Sequence, residues 1–96
     1  MSYSDFLRRD MRLVILRILS ELPGYRSNSS VLANLLHQLG HSYTRDHVMA
    51  ELRWLADVGA LTVDEAGSVL VVTLTERGQS TAEGLIVIDG IARARA

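Results

Sequence analysis

Thr44-Arg45-Asp46-His47-Val48-Met49-Ala50-Glu51-Leu52-Arg53-Trp54-Leu55-Ala56-Asp57-Val58-Gly59 is the stretch on which the fold turns. Thr44 offers a side-chain oxygen to the free N–H groups of a first helical turn. Val48, Leu52 and Leu55 follow at spacings of four and three, which stacks them on one helix face. Gly59 supplies the left-handed residue that commonly ends such a helix. The stretch therefore predicts a helix over about 44–58, with the Val48–Leu52–Leu55 face inward. Its outward face carries Asp46, His47, Ala50, Arg53, Trp54 and Asp57.

Working outward, the Ser27-Asn28-Ser29-Ser30 cluster provides caps for a helix over about 29–39, closed by Gly40. Its apolar face is read as Val31, Leu32, Leu35, Leu36 and Leu39. Only His41-Ser42-Tyr43 separates this helix from Thr44, and two short helices joined so tightly read as a helix-turn-helix. Downstream, Leu61-Thr62-Val63-Asp64 and Val69-Leu70-Val71-Val72-Thr73-Leu74 flank a glycine-bearing turn, the pattern of a hairpin over about 61–74. Thr75 then caps a short helix over about 76–83. Leu85 to Ile88 is β-branched and reads as extended, with Asp89-Gly90 as a turn. A helix running on to Arg95 is the alternative for this tail of 85–96.

The N-terminal segment predicts a helix over about 4–22, capped by Ser4 and stopped by Pro23-Gly24. Leu7, Met11, Val14, Ile18 and Leu22 recur as a core-facing stripe, while Phe6, Leu13 and Leu16 lie on roughly the opposite side. That second stripe calls for a cover. The expectation is a homodimer in which Phe6, Leu13 and Leu16 share an interface with Ile86, Ile88 and Ile91 of the tail.

Ninety-six residues make one domain, and at 48% hydrophobic residues it can build a core without staples. With no cysteine, disulfides, thiol catalysis and cysteine zinc sites are excluded together. No apolar run approaches the ~20 residues of a membrane span, and the arginine-studded start does not resemble a signal peptide. The expected location is cytoplasmic. Net charge is −1, and every basic residue is arginine. Any contact with nucleic acid must then come from local charge placement, because no overall basic surplus exists.

The order of elements is that of an α+β winged helix-turn-helix. Val48 to Leu61 resembles the recognition helix and following turn of ArsR-like regulators. Leu74-Thr75-Glu76-Arg77-Gly78 resembles the strand-to-helix junction of winged-helix regulators. From Tyr3-Ser4-Asp5-Phe6-Leu7 to the arginine-bearing tail, the chain is similar to small winged-helix proteins of Mu-like phages and prophages. This resemblance implies a homodimeric phage or prophage transcription regulator that binds double-stranded DNA. Thr44, Arg45, His47 and Arg53 are then the candidate contacts, since they lie at the start or on the outward face of helix 44–58. The chain departs from ArsR-like regulators at Met49 and Ala50, where they commonly hold serine and arginine.

The local charges pull the other way. Asp46, Glu51 and Asp57 offset Arg45 and Arg53, and Asp64 and Glu65 stand beside the wing tip, where phosphate calls for a cation. The competing expectation is a protein-interaction module of phage morphogenesis or packaging, with a phage or host protein as partner and no DNA bound. Trp54 is read as half-buried against the hairpin or a neighbouring helix. The Arg8, Arg9 and Arg12 cluster alternates with Asp5 and Asp10, which reads as a solvated face. His37 and His41 have a zinc-ligand spacing that Gly40 interrupts, and no serine has a His–Asp partner. The expectation is no metal, no cofactor and no enzymatic activity.

Overall fold

α1 spans Tyr3–Glu21 in the computed structural model, which describes residues 1–95. The chain enters this helix at Ser2, two residues before the expected cap. The Ser2 hydroxyl accepts the Asp5 N–H at 3.1 Å. In return, hydrogen bonds from the Ser2 side chain and backbone hold the Asp5 carboxyl below the usual carboxylate range. The cap sits there because Ser2 and Asp5 have the three-residue spacing of a reciprocal cap.

The buried face of α1 is rotated from the expected stripe. Met11, Ile15, Leu16 and Leu19 are fully buried, with Leu13 and Arg12 close behind, whereas Leu7, Val14, Ile18 and Leu22 are only partly covered. At about 100° per residue the centre of this arc is Ile15, Leu19 and Arg12. An arginine in the middle of an apolar arc disguises it as two separate stripes. Leu16, expected on a dimer face, is core.

After a 3-10 turn at Pro23–Tyr25, β1 covers Arg26–Asn28. The sequence marks Ser27 and Asn28 only as candidate helix caps and gives Arg26 no strand signal. Asn28 does cap the next helix, accepting the Val31 N–H at 3.0 Å, but Arg26, Ser27 and Asn28 also pair antiparallel with Thr73, Val72 and Val71. α2 spans Ser29–Gln38 and α3 spans Arg45–Asp57, with Thr44 accepting the His47 N–H at 3.1 Å. Leu32 and Leu36 are the buried residues of the α2 face. Val31 and Leu39 are exposed, against expectation: Val31 lies at the edge of the face, and Leu39 is the C-cap residue beyond the last turn of the helix.

β2, Leu61–Ala66, and β3, Val69–Leu74, form the hairpin, with Leu61 opposite Leu74 and Ala66 opposite Val69. The antiparallel sheet runs β1-β3-β2. β3 is therefore central, and its alternate residues Leu70, Val72 and Leu74 are the ones buried. Buried Ser29 accepts the Leu70 N–H at 3.0 Å, which ties the start of α2 to this strand.

α4, Glu76–Ala82, returns across α1. Gly78 lets α4 pack onto the turn between α3 and β2, because a Cβ there would collide with the Ala60 carbonyl. Among the described residues the architecture is α+β: four α-helices on a three-stranded antiparallel sheet, with Val48, Leu52 and Leu55 fully buried at its centre. No described helix is long and apolar enough to cross a membrane.

Residues 83–95 carry neither helix nor strand. The Leu85 N–H donates to the Ser80 carbonyl at 2.9 Å, Ile91 closes a turn onto Ile88 at 3.1 Å, and Ala92 donates to the Arg9 carbonyl at 3.1 Å. The tail is thus strapped across α1 and buries Ile88 and Ile91.

Candidate functional site

Three surfaces hold side chains with chemistry to offer, beginning with α3 and the hairpin. Arg45 is exposed in the first turn of α3, and no described ion pair engages it. Arg53 is exposed but committed: its Nη2 donates to Glu65 Oε1 at 2.7 Å, bridging α3 to β2. Asp46, Ala50 and Asp57 complete the exposed arc of α3, and Asp64 is exposed next to Glu65. This surface therefore presents Asp46, Asp57 and Asp64 with only Arg45 uncommitted against them.

His47 is not part of that arc. Its ring lies 4.7 Å from the Tyr43 ring, and its Nε2 is 3.8 Å from Glu51 Oε1. Tyr43 sits partly covered among these groups. Desolvation, and then the nearby Glu51 carboxylate, push its phenol pKa above the ordinary value.

A second cluster is buried between α1, α3 and the tail. Arg12 Nε donates to Glu51 Oε2 at 2.6 Å, and Nη2 reaches Oε1 at 3.4 Å. Its Nη1 donates to the Gly90 carbonyl at 2.9 Å, and its guanidinium carbon lies 3.7 Å from the Trp54 ring centroid. Arg8 Nε stands 3.9 Å from the same carboxylate. Gly90 has φ +94°, and a Cβ there would lie 2.8 Å from the Trp54 ring. One guanidinium thus ties two helices and the tail, and half-buried Trp54 packs on it against the neighbouring helix α1. Arg12 is correspondingly not the solvated side chain that its alternation with acids suggested.

The third surface is a groove between α1 and the tail. Phe6, Leu13, Val87 and Ile91 give it an apolar lining, and Arg9, Arg17, Arg93 and Arg95 border it. Asp10 also lines it but is engaged by His41 at 3.0 Å.

With these surfaces in view, the relatives are informative. The chain is 41% identical over 92 residues to the uncharacterized protein gp26 of Escherichia phage Mu, covering 96% of this chain and 95% of that one. It is 38% identical over 78 residues to an uncharacterized protein of Haemophilus influenzae strain Rd, covering 80% and 76%. The chain belongs to the phage Mu gp26 family. No protein-family model matches this gp26-family chain. No solved structure matches it significantly.

The gp26-family structure separates the residues that the sequence grouped into one dimer interface. Leu13 and Leu16 on α1, and Ile88 and Ile91 in the tail, are buried within the single chain. Phe6 stays 55% exposed and Ile86 36%. The fold of the single chain thus buries two residues of the second stripe, Leu13 and Leu16, and leaves Phe6 open. His37 and His41 do not converge: His37 Nδ1 meets Ser42 Oγ at 2.8 Å, while His41 turns to Asp10. Among the described residues no three His, Cys, Asp or Glu side chains cluster as metal ligands would.

Arg12, Glu51 and Gly90 are the residues that sequence reasoning missed as a unit. One signal was available. Glu51 lies three residues after Val48 and four before Leu55, which puts an acid on the buried side of α3, where it needs a cation.

Proposed function

We propose that this gp26-family chain is a winged-helix protein-interaction module working in a phage context, with α2–α3 as its helix-turn-helix and β2–β3 as its wing. The element order and the Val48–Leu52–Leu55 packing support the winged-helix assignment. The observation that carries the function is the 2.7 Å Arg53–Glu65 pair. A helix entering a major groove needs free cations for phosphate and base edges. Here the arginine at the centre of the exposed arc is neutralised by the wing itself, and Asp46, Asp57 and Asp64 repel phosphate around it.

A second reading, a DNA-binding regulator, rests on Arg45, which is exposed and uncommitted at the start of α3, with Thr44 beside it. A salt-series anisotropy titration against mixed-sequence duplex DNA separates the two. The module reading expects no saturable binding even at about 50 mM salt, where electrostatic binding is strongest. Saturable binding that is lost in Arg45→Ala would overturn it in favour of the regulator.

A further inference from the structure

We infer that the groove between α1 and the C-terminal tail is the docking site for an acidic amphipathic segment of another protein; this rests on the interaction-module reading and names its site. Phe6 is 55% exposed and Val87 58%, and they supply the open apolar surface of a groove whose lining also includes the nearly covered Leu13 and Ile91. The borders are cationic from both sides, Arg9 and Arg17 on α1 and Arg93 and Arg95 on the tail. None of the described ion pairs engages Arg17, Arg93 or Arg95. Arg9 reaches only the fully exposed Asp89, at 3.9 Å. Among the described residues the one carboxylate in the lining, Asp10, is drawn to His41.

Charge and apolarity together select the occupant. A second copy related by a two-fold axis would bring these arginines against themselves, which like-charge repulsion opposes. A second copy arranged head to tail would offer the acidic α3–hairpin side. Neither α3 nor the hairpin carries an exposed large apolar side chain to meet Phe6 and Val87. Duplex DNA satisfies the arginines and wastes the apolar floor. A helix with leucines on one face and glutamates flanking them satisfies both, in the manner of helix-in-groove recognition. The tail is built to hold its half of the groove, being fixed by the Ala92–Arg9 and Gly90–Arg12 hydrogen bonds.

The test uses the full chain and two synthetic helical peptides with identical leucine spacing, one filled with glutamate and one with lysine. Calorimetry and amide chemical-shift mapping are run with each. The expected result is one-to-one binding of the glutamate peptide only, with shifts at Phe6, Val87 and Ala92. The paired variant Arg17→Glu/Arg95→Glu should weaken it by about tenfold or more without loss of helical signal, because both side chains are exposed. Equal binding of both peptides overturns the charge argument. Binding of neither overturns the groove but leaves the module reading to its DNA titration. A salt-resistant dimer in light scattering that protects Phe6 assigns the groove to a second copy. Duplex DNA shifting the same arginine-bordered residues overturns both the groove and the module.

Discussion

Removing the Arg12 guanidinium, as in Arg12→Met, leaves Glu51 as a carboxylate whose side chain is only 9% exposed. It also takes a hydrogen bond from the Gly90 carbonyl and a cation from the face of Trp54. Breaking a buried pair by deleting one partner costs about 3–5 kcal/mol, because the other charge remains desolvated. Arg8 at 3.9 Å and His47 at 3.8 Å stay near the carboxylate and relieve part of this. The expected loss is therefore at the lower end, about 3 kcal/mol. For a domain of this size that lowers Tm by on the order of 15 °C. The double variant Arg12→Met/Glu51→Leu removes both charges and should recover most of the loss, since a buried pair and an apolar replacement are close in free energy. Urea unfolding of the wild type, both singles and the double, followed by circular dichroism, yields the coupling directly. Additive effects, or an Arg12→Met loss under about 1 kcal/mol, would show that the guanidinium is solvated in solution and that the tail is held by its apolar residues alone.

Leu52→Ala truncates a fully buried side chain at the centre of the core and should cost about 2–5 kcal/mol in the same urea assay. Gly90→Ala combines a left-handed φ with a Cβ against Trp54, so it should cost about 1–3 kcal/mol and change the emission of the single tryptophan. Gly78→Ala is expected to loosen α4 from the Ala60 carbonyl, which hydrogen exchange at the α4 amides would report as lost protection. Tyr43, compared with Tyr43→Phe by ultraviolet titration, should ionise above the ordinary tyrosine value. Its folded pKa is raised, so its contribution is fully present below the unfolded pKa of about 10 and is lost as pH rises through the folded one.

The sequence alone determined what depends on neighbours a few residues apart. Thr44 and Thr75 are caps because each has a hydroxyl within reach of the N–H three residues on. Val48, Leu52 and Leu55 face inward because a helix stacks positions three and four apart. The alternation of β3 and the glycine turn made the hairpin legible in the same way, and the acids around Arg53 were visible, though their 2.7 Å contact was not.

Tertiary structure decided the rest. Which side of α1 is buried depends on Arg12 meeting Glu51, 39 residues away, and Gly90, 78 residues away. A guanidinium reads as a surface residue until a carboxylate and a carbonyl are brought to it. β1 likewise exists only because Arg26, Ser27 and Asn28 find β3, for three polar residues carry no strand pattern of their own. The sequence picked Ile86, Ile88 and Ile91 of the tail for cover, but Ile86 stays 36% exposed. The strap onto Arg9 chose Ile88 and Ile91, and left Phe6 and Val87 open on a basic groove. Local hydrogen bonding and periodicity set the elements, whereas contacts between residues far apart in the chain set how they face one another.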